Sequence, residues 1–251
     1  MKKIITCLII ALLFCNKNTY AQHIIVDYNI ETNSLFNEEK DFEGIAKEKS
    51  KEIIEGFNRS LKLLNSMKAH LIASKSESYF WFENTMPSDI NIMDYDMAKI
   101  MIGYGDSYYS NQLSGNSTHF FSAYGIKFKI KTPVDSLIWK LSKETKIIGD
   151  LKCFKATTSY KVKNNLREHT VEVIAWYDPS LQYNFGPKGF SGLPGLIIEL
   201  KDDKITYSAD TIKFKESKMK TIKKPNGKLI TKEELEEYGE KAQQNFNINR
   251  N

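Results

Sequence analysis

Two side chains of the sequence have the chemistry of a nucleophile, Ser191 and Cys153. Ser191 lies in Gly189–Leu193, one position away from the Gly-x-Ser-x-Gly pattern that exposes a serine between a strand and a helix. The second glycine is misplaced and strand-like residues follow, so the pattern does not favour a serine hydrolase. For Cys153 a buried, unreactive thiol is the commoner role. A hydrolase with either nucleophile, and His169 or His119 as the base, stays open because such groups assemble from distant parts of a chain.

The sequence contains no motif for a metal or a cofactor. None of the four histidines lies within a metal-ligand spacing such as His-x-x-x-His. The phosphate-binding Gly-x-x-x-x-Gly-Lys and the dinucleotide-binding glycine pattern are both missing. We therefore expect no metal and no cofactor. The histidines are His23, His70, His119 and His169.

Residues 1–21 have the pattern of a secretory signal peptide. Two lysines precede an apolar run, Ile4–Phe14, and Thr19–Ala21 provides a small-residue cleavage site. The run is too short to cross a bilayer, and no later segment approaches the ~18 uninterrupted apolar residues of a membrane helix. The other two cysteines leave with this leader, so Cys153 has no partner for an internal disulfide. We expect an exported protein of the periplasm, or one associated with the outer membrane, without a transmembrane segment in its mature chain.

The composition is that of a folded protein. Of the 251 residues, 41% are hydrophobic and 27% are charged, close to the average of globular domains. The formal net charge is +5, but the leader contains three lysines and no acidic residue, so the mature chain carries +2. This small excess gives no electrostatic reason to expect nucleic acid as a partner.

Alternating apolar residues predict one β-rich domain over residues 22–230. Ile24–Ile30 alternates soon after the leader, and Ile126–Lys131 alternates with one apolar face and one lysine face. Leu196–Leu200 and Ile205–Phe214 are predicted to pair as a hairpin. Within the second of these strands the apolar parity changes near Asp210, which predicts a β-bulge.

Helices are predicted on either side of this β-rich part. Asn37–Phe57 has apolar residues at helical spacing and charges on the other face, which is typical of a helix laid against a sheet. Thr231–Glu234 is a capping box, so a helix should begin in the C-terminal segment 231–251. Asn84–Gly115 is interpreted as a loop with one or two short strands. The expected fold class is mainly β (α+β), a curved antiparallel sheet or half-barrel with one amphipathic helix packed on it and a C-terminal helix.

One stretch is unusually rich in glycine and proline. Residues 185–195 hold four of the chain's 13 glycines and two of its six prolines. Proline fixes φ, and glycine permits positive φ and close backbone approach, so together they predict a rigid, irregular loop tucked against a sheet. Its amides beside a lysine could also bind an anion or a partner chain. The candidate binding residues are Phe185, Gly186, Pro187, Lys188, Phe190, Gly192, Leu193, Pro194 and Gly195.

Four short blocks carry a resemblance to a known family. Gly192–Ile197 reads Gly-Leu-Pro-Gly-Leu-Ile, and Gly149–Ala156, Ala175–Tyr177 and Phe185–Pro187 follow the other blocks of that family in order. The chain thus resembles the GLPGLI family, exported proteins of Bacteroidota with no established biochemical activity. The resemblance covers Lys146–Leu200 and is loose elsewhere. The family-motif residues are Gly149, Cys153, Lys155, Ala156, Ala175, Trp176 and Tyr177.

The resemblance implies a cell-envelope setting and supplies no catalytic residues. We therefore expect a non-enzymatic periplasmic binding or accessory protein. A curved sheet with a helix across its concave face would form an apolar cleft, and an aromatic content of 12% would line it. The expected partners are an outer-membrane or periplasmic protein or a lipid-like ligand. The alternatives are a periplasmic hydrolase that uses Ser191 or Cys153, and a protein-docking surface formed by the glycine-rich loop and the lysine-rich strand edge.

Overall fold

The computed structural model describes residues 23–32, 35–36, 47–83, 91–163, 168–217 and 220–248. The predicted signal peptide, residues 1–21, and the first part of the predicted helix, residues 37–46, lie outside these ranges. Within them, twelve strands form one open, mixed sheet accompanied by three α-helices. The prediction of a mainly β fold is confirmed.

The strands and helices have the following bounds. The strands are β1 (His23–Thr32), β2 (Lys68–Ala73), β3 (Glu77–Phe82), β4 (Ser107–Asn111), β5 (Asn116–Ala123), β6 (Ile126–Pro133), β7 (Lys140–Ile148), β8 (Leu151–Lys163), β9 (Glu168–Asp178), β10 (Leu196–Asp202), β11 (Ile205–Lys215) and β12 (Lys228–Leu229). The helices are α1 (Lys47–Leu63), α2 (Ile92–Ile102) and α3 (Lys232–Ile248). Short 3-10 turns cover Leu64–Ser66 and Pro187–Gly189.

The sheet consists of two meanders that meet at β1 and β11. The strand order is β12-β6-β5-β4-β3-β2-β1-β11-β10-β9-β8-β7. The short pair β12–β6 is parallel, and the remaining neighbours pair antiparallel. The first strand of the chain therefore lies in the middle of the sheet.

The register confirms two sequence predictions. β10 and β11 form the expected hairpin, with Asp202 opposite Ile205. Between β1 and β11, Asp27 faces Thr211 whereas the next residue, Tyr28, faces Ala209. Asp210 is thus the extra residue of a β-bulge. Because an inserted residue reverses the alternation of side chains, it produces the change of apolar parity seen in the sequence.

The core lies on one face of the central strands. The alternating residues of β1 are fully buried there: Ile24, Val26, Tyr28 and Ile30. Helix α1 contacts β1, and Leu61 near its end and Leu64 in the following turn are buried in the same cluster. α1 continues to Leu63, six residues beyond its predicted end at Phe57. This extension places Leu61 on the sheet, which stabilises the last turns of the helix.

The prediction of a loop with one or two short strands over Asn84–Gly115 is correct for strand β4 and wrong for Ile92–Ile102, which form helix α2. The Asn91 side chain caps the helix by accepting hydrogen bonds from the amides of Met93 and Asp94. Gly103, with φ of 69°, ends it in the left-handed conformation. The buried face is helically spaced and consists of Tyr95, Ala98 and Ile102. Residues 84–90 lie outside the described ranges.

The capping box at the start of α3 is confirmed. The Glu234 amide donates to the Thr231 hydroxyl, and the Thr231 amide donates to the Glu234 carboxylate. Leu235 and Tyr238 dock the helix on a small second cluster built from Phe128, Ile130 and Ile230. The described helices include none with the length and apolar character needed to cross a bilayer.

Candidate functional site

The glycine-rich loop, residues 185–195, is ordered by its own hydrogen bonds. Phe185 and Ser191 form an isolated antiparallel bridge, and the Gly192 amide donates to the Asn184 carbonyl. Among the predicted binding residues, most are buried: Phe185, Gly186, Pro187, Phe190, Leu193 and Gly195. Gly192 and Pro194 are exposed, and Lys188 is half-buried. The loop is therefore a packed corner between β9 and β10.

Two glycines of the loop are required by close packing. A Cβ on Gly195 would overlap the carbonyl oxygen of Asp178, which is main-chain and cannot move aside. A Cβ on Gly186 would lie 2.6 Å from the Cβ of Ile197 in the buried start of β10. These glycines let the loop lie directly on the strands that flank it.

The family-motif residues come together on two neighbouring strands, β8 and β9, and in the turn before β8. Ala156 on β8 faces Ala175 on β9, which faces Leu200 on β10. Lys155 and Trp176 occupy the next paired position, and the Lys155 ammonium binds the Glu144 carboxylate at 3.0 Å. The same region includes buried Cys153 and Tyr177, and Gly149 turns the chain between β7 and β8 with φ of 57°. The small buried side chains and the glycine turn indicate that these residues serve the packing of the strands.

A cavity of about 190 Å³ lies where the loop meets the other half of the sheet. We call it the seam cavity. Its walls come from the loop, from β4–β6, from the connection between β6 and β7, and from Tyr160 on β8 and Lys232 on α3. The polar lining consists of Ser117, His119, Thr132, Ser136, Tyr160, Lys188, Ser191 and Lys232, and the apolar and aromatic lining includes Tyr108, Val134, Leu137 and Phe190.

Lys188 reaches an acidic partner beneath the loop. Its backbone is left-handed, with φ of 53°, and its ammonium lies 2.7 Å from Oδ2 of Asp202, whose side chain is 4% exposed. The Tyr160 hydroxyl donates to the other carboxylate oxygen, Oδ1, at 2.7 Å. Burial disfavours the charged lysine, but the Asp202 carboxylate outweighs this and raises the pKa of Lys188. Burial and the same carboxylate also raise the pKa of Tyr160.

His119 is fixed in the cavity wall by a hydrogen-bonding carboxylate and two rings. Its Nε2 lies 2.7 Å from Oδ2 of Asp106. The imidazole stacks on Tyr108 with 4.4 Å between ring centroids and 2° between planes, and Phe121 lies against it at 4.8 Å. The ring is therefore held in one orientation.

The two candidate nucleophiles hydrogen-bond to main-chain carbonyls. The Ser191 hydroxyl donates to the Val134 carbonyl at 3.4 Å, and the Cys153 thiol lies 3.8 Å from the Leu151 carbonyl. Burial raises the pKa of Cys153 to about 11, so the thiolate is scarce at neutral pH. Over the described ranges, neither residue is hydrogen-bonded to a histidine, and no group of three metal-ligating side chains occurs.

Sequence reasoning identified Lys188 but missed its partners. Asp202 had a detectable signal, since it shares the inward parity of Ile198 and Leu200 and is therefore a charge on an apolar strand face. Tyr160 had none, because it lies 42 residues away on β8 and meets Asp202 on β10 across the intervening strand β9.

Comparisons with known proteins place the fold among solved structures. No curated protein matches the chain. Two crystal structures of PNGF-II are similar over 86% of this chain, with 14% identity and a TM-score of 0.51 for one and 13% and 0.50 for the other. The chain spans about a third of PNGF-II, 32% and 33% of its length. At this identity the likeness is one of fold.

A family model matches part of the chain. The matched stretch, residues 158–199, contains the blocks Ala175–Tyr177, Phe185–Pro187 and Gly192–Ile197, whereas the block Gly149–Ala156 lies before it. The model is described as a protein of unknown function, Porph_ging.

Proposed function

We propose that this chain is a non-enzymatic binding or accessory protein of the cell envelope, exported to the periplasm, and that the seam cavity is its ligand site. The observation that carries the proposal is the buried ion pair of Lys188 and Asp202 beneath the cavity. A left-handed backbone is costly for a residue with a side chain and persists where the surrounding structure enforces it. Here it brings the Lys188 side chain into the wall of the cavity.

The chain connectivity supports a strongly curled, half-barrel sheet. β6 and β7 are ten neighbour steps apart in the strand order, so a flat sheet would separate them by about 48 Å at ~4.8 Å per step. The connection between them, Val134–Trp139, spans at most about 25 Å when fully extended. The two halves of the sheet must therefore come close to each other, and the seam cavity lies between them.

Hydrogen bonds hold this connection at the seam. The Trp139 indole donates to the Ser191 carbonyl at 2.8 Å, and the Thr158 hydroxyl donates to the Ile138 carbonyl at 2.9 Å. The loop, β8 and the connection are thus tied together on one side of the cavity. A rigid wall of this kind lowers the cost of ordering the site when a ligand binds.

The size and lining of the cavity indicate what it would hold. At about 190 Å³ it is smaller than the ~300–1,000 Å³ typical of pockets for drug-sized ligands. Hydroxyl and ammonium groups line it together with aromatic and aliphatic side chains. We therefore propose that it takes a compact polar group, or the polar end of a longer lipid-like ligand whose remainder lies outside.

Native mass spectrometry of protein purified from a bacterial periplasm tests this proposal. The wild-type protein should carry a small molecule that Ser136→Trp, at the exposed rim of the cavity, loses. Ser180→Trp, in an exposed turn away from the cavity, is the matched control and should keep the ligand. A bare wild-type mass, or equal ligand loading of both tryptophan variants, contradicts the proposal.

A second candidate, a hydrolase, rests on one observation. Ser191 and His119 line the same cavity, and Nε2 of His119 binds the Asp106 carboxylate, so the three residue types of a serine-histidine-aspartate triad are present. A fluorophosphonate probe distinguishes the two functions. Labelling of the wild type that Ser191→Ala abolishes would establish the hydrolase, whereas no labelling would leave the binding function.

A further inference from the structure

A second groove, of about 620 Å³, lies on the opposite face of β4–β6 from the seam cavity. We call it the outer groove. Because side chains alternate along a strand, Thr118 and Phe120 face this groove while Ser117 and His119 of the same strand line the cavity. The segment Lys224–Asn226 forms its other wall.

Three lysines line the outer groove. Lys129 and Lys131 are two residues apart on β6 and project from the same face, about 7 Å from each other. Lys224 enters from the other wall, with its ammonium 4.0 Å from the ring centroid of Tyr109. Across the part of the chain that is described, none of these three lysines has an ion-pair partner. Lys131 also borders a neighbouring pocket that Glu233 and Glu234 line, but no carboxylate of the described ranges lines the outer groove itself.

Glu77, which contacts the groove residue Tyr109, is engaged by hydrogen bonding. The Glu77 carboxylate accepts a hydrogen bond of 2.6 Å from the Tyr109 hydroxyl, and that hydroxyl accepts another from the Asn111 amide. This chain of bonds holds the aromatic floor of the groove in place.

The remaining lining consists of small amides and hydroxyls. Each side-chain amide carries both donors and acceptors, and each hydroxyl can act as either, which complements the hydroxyl groups of a sugar. The groups are Asn111, Ser114, Asn116, Thr118 and Asn226. From the combination of three lysines without an ion-pair partner among the described residues and these neutral polar groups, we propose that the outer groove binds an acidic carbohydrate, one whose sugars carry carboxylate or sulfate groups.

The aromatic residues of the groove disfavour nucleic acid as the occupant. Single-stranded nucleic acid binds through bases stacked on exposed rings. Here Lys224 covers Tyr109, and Phe120 is 6% exposed. Neither aromatic ring that lines the groove is open for a base. Asn111 and Asn116 each use one amide group within the protein, whereas the Thr118 hydroxyl, the Asn226 amide and the Lys129 and Lys131 ammonium groups also line the groove.

Titration calorimetry with defined probes tests the proposal. Tetragalacturonate carries carboxylates, a dextran sulfate oligosaccharide carries sulfates, and maltotetraose is neutral. We expect binding of one or both acidic probes, none of the neutral one, and weaker binding as salt is raised. The acidic probe that binds more tightly identifies the anionic group.

A matched pair of variants separates the groove from net charge. Lys129→Gln/Lys131→Gln/Lys224→Gln should weaken binding of the acidic probe roughly tenfold or more. The control replaces three exposed lysines outside the groove, Lys51, Lys143 and Lys201, and should bind like the wild type. Equal losses in the two triple variants would overturn the proposal. So would failure of both acidic probes to bind, equal binding of maltotetraose, or tighter binding of a thymidine hexanucleotide.

Discussion

Replacing Lys188 by methionine should destabilise the protein strongly, because it leaves the Asp202 carboxylate buried without its counter-charge. The two side chains are 21% and 4% exposed, so water screens their interaction little. Breaking one partner of a buried ion pair costs ~3–5 kcal/mol. The Tyr160 hydroxyl still donates to Asp202 in the variant, so we expect the lower end of this range, a loss of about 3 kcal/mol. For a chain of this size that corresponds to a decrease of about 6–12 °C in Tm.

A double-mutant cycle in urea measures the interaction itself. Asp202→Asn alone should lower the free energy of unfolding by about 2 kcal/mol, since the Lys188 ammonium is more exposed and can turn toward water. Lys188→Met/Asp202→Asn should cost about 2–3 kcal/mol, well below the sum, because no uncompensated charge remains. Exposed Lys201→Met is the matched control and should change the free energy of unfolding by less than about 0.5 kcal/mol.

Two results would refute this reasoning. One is a decrease in Tm below about 2 °C for Lys188→Met, and the other is strict additivity in the cycle. The pH dependence gives an independent check. The pKa of Lys188 is raised above its ordinary 10.5, so the stabilisation is fully present at neutral pH and is lost as pH rises through the folded-state value.

Three further predictions concern positions outside this ion pair. Gly195→Ala should lower the free energy of unfolding in urea by at least about 2 kcal/mol, since its Cβ would overlap the Asp178 carbonyl. Gly56→Ala inside α1, where a Cβ has room, should raise it by ~0.5–1 kcal/mol. A similar effect of the two substitutions would contradict the close-packing argument. Burial alone would raise the pKa of Asp27, but hydrogen bonds from Thr211, His70 and Lys213 lower it to about 2. About 2 kcal/mol of stability is therefore present above pH 4 and lost as pH falls from 4 to 2, and Asp27→Asn should flatten acid unfolding over that range. The Cys153 thiol should react with a disulfide reagent at pH 8 only at the rate of unfolding, given its burial and its pKa of about 11; immediate labelling of the native protein would contradict this.

The local features of the fold could be predicted from the sequence. The bulge at Asp210 followed from a change of parity, the hairpin of β10 and β11 from two apolar runs around a short polar turn, and the start of α3 from its capping box. Helix α2 had a signal of the same kind, Asn91 and Gly103 bracketing apolar positions at helical spacing. The polar and tyrosine-rich composition of Asn84–Gly115 obscured it.

The order of the strands and the residues that meet at the site could not be predicted from the sequence. Pairing of β1 with β11 joins residues that are 186 apart, as in the ion pair of Asp27 and Lys213, and no local pattern specifies such a partner. The same holds for the seam cavity, where Lys188 meets Tyr160 and His119 from distant strands. The glycine-rich loop was recognisable as rigid, but what it covers depends on how the whole sheet curls.

The central position of the first strand has a consequence for how the molecule is made. β1 lies between β2 and β11, and β11 is the last long strand to leave the ribosome. The N-terminal meander therefore keeps an open hydrogen-bonding edge until Ile205–Lys215 has been synthesised. Contacts between residues so far apart in the chain slow folding. The sheet should therefore complete its folding late and cooperatively, and the open edge of β1 should need protection from other chains until then.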